Sequence, residues 1–204
     1  MPAPAQIVRS VVLAVALALV GIGPVLGAPS AHAAHARPYL LGDSVAAWSA
    51  AVLTRELGQA GLVLDAVACR GTVSSCVAPG QTTRPASGLS TIQAKRGRLG
   101  NLVVIELGYN DAPRRGSIER VLRELRSQGV RRVAWVNLSE RRPGYHETNL
   151  ALDAAAKRWP ELRILDWRRA SAGRAAWFID GVHLTSAGKA AFARFLAQSI
   201  SQLG

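Results

Sequence analysis

The chain has 204 residues, two cysteines, four histidines and a formal net charge of +12. Two cysteines and so few histidines argue against a zinc site, which needs three or four protein ligands. The excess of basic over acidic residues suggests anionic partners. Most of the basic residues are Arg rather than Lys, however, and a GC-rich genome would produce the same excess without any such partner.

The N-terminal segment predicts a secretory signal peptide. Arg9 precedes an apolar run over residues 11–20, and the small-residue sequence of 31–36 follows. A short basic region, an apolar core and an Ala-x-Ala site are typical of export signals. The apolar run is shorter than the roughly 20 residues that span a membrane. We expect cleavage after Ala33 or Ala36, with an uncleaved anchor as the alternative.

Removal of residues 1–36 as a signal peptide would leave one domain over residues 37–204. This part has no second long apolar stretch, so we expect no transmembrane segment after cleavage. The protein is then secreted or associated with the cell envelope, outside the cytoplasm. Its basic surface would meet anionic envelope polymers there, and we expect no nucleic-acid partner.

Short apolar runs alternate with helical patterns along the domain. Strands are predicted at residues 39–41, 62–67, 102–107, 132–138 and 162–165. Helices are predicted at residues 45–57, 118–128, 149–159 and 185–203. A loop rich in Gly, Ser, Thr and Pro is expected from Cys69 to about Ser90. This alternation predicts an α/β fold, a parallel five-stranded sheet with helices on both faces. Ligands bind such sheets beyond the carboxyl ends of the strands.

The two cysteines predict a disulfide bond. Cys69 and Cys76 are the only pair in the chain, and export would bring them to an oxidising compartment. So short a loop gives a modest stabilisation, about 2–2.5 kcal/mol in the chain-entropy model.

Three polar blocks fall where this sheet type places its ligands. Each alone is weak evidence, because a Ser that opens a helix is commonly an N-cap and Asn-Asp or Asp-Gly commonly forms a turn. Their joint presence in this order is much less expected by chance. The blocks are Gly42-Asp43-Ser44 after the first strand, Gly108-Tyr109-Asn110-Asp111 after the third, and Asp180-Gly181-Val182-His183 before the last helix.

With these three blocks the chain resembles the SGNH, or GDSL-type, hydrolase family over nearly the whole domain. The resemblance implies a flavodoxin-like three-layer sandwich and a serine esterase. It also implies an oxyanion-hole glycine after the second strand, for which Gly71 is the candidate. Val45 stands where the family usually has Leu.

The chemistry of the three blocks agrees with this resemblance. Ser44 is a weak nucleophile until a base takes its proton; His183 can be that base, and Asp180 can orient and stabilise its ring. The oxyanion donors would be the backbone N–H groups of Ser44 and Gly71 and the side-chain amide of Asn110. The N-terminal dipole of the helix that Ser44 opens would add to them. Neither a metal nor an organic cofactor is required.

Four further residues are candidates for the site. His146 is the second histidine of the domain, and we expect it in an exposed loop, with a contact to the substrate as the alternative. Trp48, Trp177 and Phe178 could each wall an acyl pocket or pack in the core.

The sequence therefore predicts a secreted esterase that removes O-acyl groups, short ones on a glycan or envelope polymer, through an acyl-enzyme. The first alternative is an O-acyltransferase with the same residues, in which a sugar hydroxyl replaces water. The second is a non-catalytic glycan-binding wall protein, which would have no need of the four residues Ser44, Asn110, Asp180 and His183.

Overall fold

The structure is a computed structural model that describes Met1 and residues 37–203. The predicted signal peptide over residues 1–36, with its two cleavage positions, therefore lies outside the described residues apart from Met1. Within the described residues, no helix is both long enough and apolar enough to cross a bilayer.

Five parallel strands form the central sheet, as the sequence predicts. They are β1 (Tyr39–Gly42), β2 (Val63–Ala66), β3 (Leu102–Glu106), β4 (Arg132–Val136) and β5 (Leu162–Leu165). Their order is β2-β1-β3-β4-β5, with all pairs parallel. This is the order of flavodoxin-like sheets, whose ligands bind where the strand order reverses, at β1 and β3.

Seven α-helices connect and flank the strands in the described part of the chain. They are α1 (Ser44–Trp48), α2 (Ala50–Leu57), α3 (Gly88–Ala94), α4 (Arg115–Ser127), α5 (Tyr145–Ala156), α6 (Trp167–Ala170) and α7 (Ser186–Ser201). Short 3₁₀ turns lie at Gly58–Ala60 and Ala175–Trp177.

Two apolar cores lie on opposite faces of the sheet. Successive side chains of a strand point to opposite faces, so Val103 and Ile105 join one core with Leu122 of α4. Val104 joins the other core with Leu196 of α7. The three layers of helix, sheet and helix follow from this alternation, and the strands are buried on both sides.

The predicted helix over residues 45–57 is two helices. The hydroxyl of Ser49 donates to the carbonyl of Val45 at 2.6 Å, and the Ser49 amide bonds the Ala46 carbonyl, three residues back. Such local bonds compete with the α-helical ladder, so the chain breaks between α1 and α2. Ser44 therefore opens a helix of five residues rather than thirteen, which limits the dipole that it can offer.

Other boundaries also differ from the prediction. The loop that starts at Cys69 ends at Ser87, whose hydroxyl accepts from the Ser90 amide and caps α3. Helix α4 starts three residues earlier than predicted, and α5 starts four residues earlier and ends sooner. Helices α3 and α6 were not predicted, because seven and four residues are too few to show a clear helical period.

Candidate active site

A cleft lies at the carboxyl ends of β1, β2 and β3. It holds about 760 Å³, and its wall includes Ser44, Trp48, Cys69, Asn110 and His183. The strand order reverses at β1 and β3, where flavodoxin-like sheets bind their ligands. The structure thus brings side chains from all three polar blocks to one cavity.

Ser44, His183 and Asp180 form one hydrogen-bonded chain. The Oγ of Ser44 lies 3.0 Å from Nε2 of His183, and Nδ1 of His183 lies 2.8 Å from Oδ2 of Asp180. In the tautomer with its proton on Nδ1, the ring donates to Asp180 and can accept the Ser44 proton on Nε2. This is the arrangement of a nucleophile, a base and an orienting carboxylate.

Asp180 is held ionised by the turn that carries it. Its Oδ1 accepts from the amides of Val182 (3.0 Å) and His183 (2.8 Å). Partial burial raises the pKa of Asp180, but the hydrogen bonds from the His183 ring and from the two amides outweigh it and hold the pKa well below its ordinary value. The carboxylate is therefore charged wherever the histidine can act as a base.

Arg142 also contacts Asp180, and nothing in the sequence pointed to it. Its Nε donates to the Asp180 carbonyl at 2.7 Å, and its Nη2 lies 3.2 Å from Oδ2. Both side chains are more than a third exposed, and exposed ion pairs contribute little energy. We therefore assign Arg142 a minor role in orienting Asp180.

Ser44 sits on a tight turn between β1 and α1. Asp43 caps the helix, with its Oδ1 accepting from the Val45 amide at 2.9 Å. A side chain at Gly42 would place its Cβ 2.4 Å from the Cβ of Ala46, so only glycine lets the helix turn back so closely over the strand.

Two fully buried carboxyl groups lie beneath this turn. Glu106, the last residue of β3, accepts through Oε2 from the amides of Asp43 (3.3 Å) and Ala46 (3.2 Å). Burial raises the pKa of both Asp43 and Glu106, and the charge of Asp43 raises that of Glu106 further. We did not predict a role for Glu106, although it is the one charged residue in the apolar run of residues 102–107.

Asn110 lies in the cleft wall with its amide toward the turn that carries Ser44. Its Nδ2 donates to Oδ2 of Asp43 at 3.2 Å and to the Arg70 carbonyl at 3.0 Å. Both amide protons thus have partners here, and an oxyanion would have to compete with one of these. The neighbouring Asp111 accepts from the amides of Val73 and Ser74, and so holds the loop after β2.

Gly71 is placed less favourably than the sequence suggested. Its N–H donates to the hydroxyl of Ser75 at 3.2 Å, and Cys69 rather than Gly71 lines the cleft. A Cβ at Gly71 would lie 1.9 Å from the Ser74 carbonyl oxygen. The glycine is therefore required by the close turn, and its amide would have to leave Ser75 to serve as an oxyanion donor.

Cys69 and Cys76 form a disulfide bond, as the sequence predicts. The Cys76 amide also donates to the Cys69 carbonyl at 3.0 Å. The residues between them include Arg70, whose carbonyl holds Asn110. The disulfide thus closes the loop that forms one wall of the cleft.

The three aromatic candidates lie in different parts of the structure. Trp48 lines the cleft, is half exposed, and stacks on the His183 ring with centroids 4.2 Å apart. Trp177 stacks on Trp167, and Phe178 is buried in the same core. Of the three candidates, only Trp48 lines the cleft.

His146 does not lie in a loop, contrary to the prediction. It is in the first turn of α5, because that helix starts at Tyr145. Its Nδ1 lies 3.1 Å from Oε2 of Glu140, and the ring is exposed. Within residues 37–203 we also find no cluster of three or more His, Cys, Asp or Glu side chains that could hold a metal ion.

No protein-family model matches the sequence, and no curated protein matches it. Several solved structures share its fold. The C-terminal catalytic domain of peptidoglycan O-acetyltransferase A from Streptococcus pneumoniae, solved with a methylsulfonyl adduct, is 20% identical with a TM-score of 0.65, covering 81% of this chain and 93% of that one.

Two further structures are similar. A GDSL-like lipase from Bacteroides thetaiotaomicron is 15% identical with a TM-score of 0.66, covering 83% of this chain and 90% of that one. A family 3 carbohydrate esterase from Clostridium thermocellum is 15% identical with a TM-score of 0.56, covering 82% and 98%. At such low identities the likeness establishes the fold. The chain therefore has the fold of the SGNH, or GDSL-type, hydrolases, as its three polar blocks implied.

Proposed function

We propose that the protein is a serine esterase that cleaves O-acyl esters through an acyl-enzyme. The observation that carries this is the chain of hydrogen bonds from Ser44 through His183 to Asp180, at 3.0 and 2.8 Å, at the mouth of a cleft. A non-catalytic glycan-binding protein has no use for a hydroxyl, an imidazole and a carboxylate in this order.

The proposed reaction has two halves. The Oγ of Ser44 attacks the ester carbonyl carbon while its proton passes to Nε2 of His183. The tetrahedral intermediate collapses, the C–O bond to the alcohol breaks, and His183 returns the proton to the leaving oxygen. A water molecule then attacks the acyl-enzyme with His183 again as base, releasing the acid and Ser44. Asp180 stays ionised and stabilises the imidazolium.

The negative oxygen of each intermediate needs hydrogen-bond donors. We propose the Ser44 amide and the Asn110 side chain for this role. The Ser44 amide belongs to the turn that carries the nucleophile, and the Asn110 side chain faces that turn. The Gly71 amide is a third donor only if it exchanges the Ser75 hydroxyl for the substrate. Such donors act most strongly when the charge develops, so they lower the barrier rather than tighten binding.

The substrate we propose is a short acyl ester on a glycan or envelope polymer. The similar O-acetyltransferase domain and carbohydrate esterase support an acylated glycan. The disulfide fits an oxidising compartment outside the cytoplasm, and the net charge of +12 favours an anionic polymer as partner. Neither step of the reaction calls for a metal or cofactor.

Acyl transfer is the second candidate function. It is favoured by the likeness to the O-acetyltransferase domain, which this chain covers over 93% of its length. The acyl-enzyme is the same in both reactions, and only the acceptor differs. Water would be replaced by a sugar hydroxyl seated in the cleft beside Trp48.

An ester series with a competing acceptor tests both functions. Aryl acetate, butyrate and octanoate are given to wild type and to Ser44→Ala, and acid release and transfer to a chito-oligosaccharide are measured by mass spectrometry. We expect Ser44-dependent acid release that is fastest for the acetate. Transfer that exceeds hydrolysis would establish the acyltransferase instead. Equal rates of acid release and transfer in wild type and Ser44→Ala would contradict both functions.

A further inference from the structure

Trp48 lies beside the triad histidine without belonging to the triad. It is the last residue of α1, one helical turn after Ser44, so the two side chains lie on the same face of that helix. Its ring stacks on the His183 ring, with centroids 4.2 Å apart and an angle of 26° between the planes. One face of the indole is therefore covered by the base of the proposed reaction.

The rest of the Trp48 side chain is open to the cleft. Trp48 is 51% exposed, whereas tryptophan side chains are mostly buried on average, and it lines the cleft that holds Ser44. Because one face rests on His183, the exposed part is the opposite face and the edge of the indole. The cleft wall thus has a flat aromatic surface next to the reacting atoms.

The order of the proton transfers decides which half of an ester meets this surface. His183 takes the proton of Ser44 and returns it to the leaving oxygen of the alcohol. The alcohol half must therefore lie next to Nε2 of His183, which is 3.0 Å from the Oγ of Ser44. Since Trp48 is stacked on that ring, it borders the alcohol rather than the acyl group.

The remaining wall of the cleft is uncharged. Apart from His183, the residues of the described chain that line the cleft have no charged side chain. Pro79 and Pro85 belong to its apolar part, and Gln81 and Thr83 supply polar groups that can hydrogen-bond hydroxyl groups. A mostly apolar wall with a few polar groups fits an uncharged ligand that has an apolar face and a polar edge. A sugar ring has such a face of C–H groups and such an edge of hydroxyl groups.

We infer that Trp48 is a specificity-determining residue, whose free indole face binds an uncharged sugar ring on the alcohol side of the ester. The electron-rich face of the indole attracts the C–H groups of the sugar, which the neighbouring oxygens leave partly positive. This inference rests on the proposed function, because only an ester substrate has an alcohol half next to His183. Charge contacts with an anionic polymer would then lie outside the cleft.

Two variants of Trp48 and one control separate the aromatic surface from general packing. Trp48→Leu removes the aromatic face and keeps an apolar side chain, whereas Trp48→Phe keeps an aromatic face. Leu150→Ala is the matched control, because Leu150 on α5 is 47% exposed, a fraction similar to that of Trp48, and does not line the cleft. Both positions lie outside the two apolar cores, so we expect all three variants to keep the wild-type circular dichroism.

The experiment compares esters that share the acetyl group and differ in the alcohol. The kcat/KM for an O-acetylated chito-oligosaccharide is divided by that for ethyl acetate, so that any effect of a variant on His183 itself cancels. We expect Trp48→Leu to lower this ratio about 3–10-fold, mainly through the KM of the sugar ester, because an aromatic contact contributes this much to binding. Trp48→Phe and Leu150→Ala should keep the ratio within about twofold of wild type. The ratio of aryl acetate to aryl butyrate should stay the same in Trp48→Leu.

An unchanged ratio of sugar ester to ethyl acetate in Trp48→Leu would overturn the inference, even if both esters lose rate equally. So would a change in the ratio of aryl acetate to aryl butyrate, which would place Trp48 at the acyl group. A wild type without esterase activity would contradict the proposed function instead. Calorimetry with the same oligosaccharide and Ser44→Ala then still decides: adding Trp48→Leu should weaken binding about 3–10-fold, and equal affinity or no binding would overturn the inference.

Discussion

Replacement of Asn110 by alanine separates stabilisation of the transition state from simple structural support. The Asn110 amide donates to the Asp43 carboxylate at 3.2 Å and to the Arg70 carbonyl at 3.0 Å. A hydrogen bond to a charged group contributes about 1.5–3 kcal/mol and a neutral one about 0.5–1.5 kcal/mol. Asn110→Ala should therefore lower the free energy of unfolding by about 2–4.5 kcal/mol, measured by urea denaturation.

The catalytic effect should be separate from this structural loss. If Asn110 donates to the oxyanion, kcat for an aryl ester should fall about 10²–10³-fold, or about 2.7–4 kcal/mol, with little change in KM. The assay must run well below the melting temperature of the variant, so that the folded enzyme alone is measured.

Asn137→Ala is the matched control for Asn110→Ala. Asn137 also follows a buried strand, donates to Asp166 at 2.7 Å and accepts from the Arg168 amide at 2.8 Å, but it does not line the cleft. It should show a similar loss of stability with kcat near wild type. An equal kcat for the two variants would remove Asn110 from the mechanism and weaken the comparison with the SGNH hydrolases.

Two further predictions concern the base and the disulfide. His183→Ala should lower kcat about 10²–10⁴-fold by removing the general base, whereas His146→Ala should stay near wild type; the opposite result in ester hydrolysis would exchange their roles. Joint replacement of Cys69 and Cys76 by serine should lower the free energy of unfolding by about 2–2.5 kcal/mol. An unchanged midpoint in urea denaturation would show that the bond does not stabilise the loop.

Local patterns in the sequence were enough to predict the sheet and that Ser44, Asp180 and His183 lie together. Each strand is a short apolar run, and parallel strands bring their carboxyl ends to one edge, so Ser44 and Asn110 had to meet there. His183 follows Asp180 by three residues, which lets one turn present both side chains. These features depend on neighbours in sequence and on a common topology.

Features that depend on contacts between distant residues were not predicted. The Gly71 amide bonds the Ser75 hydroxyl, which the motif alone does not show. Arg142 reaches Asp180 across 38 positions of the chain. Glu106 could have been noticed as a charge in a buried strand, since such a charge needs a partner, but the sequence does not tell that its partners are the amides of Asp43 and Ala46.

Covalent labelling tests most directly whether Ser44 is an activated nucleophile. The protein is treated with a fluorophosphonate, and the modified peptide is located by mass spectrometry. We predict a single adduct on Ser44 that forms in wild type, slows sharply in His183→Ala and is lost in Ser44→Ala while the variants keep the wild-type circular dichroism. An adduct that persists in Ser44→Ala, or a folded wild type that takes none, would contradict the account.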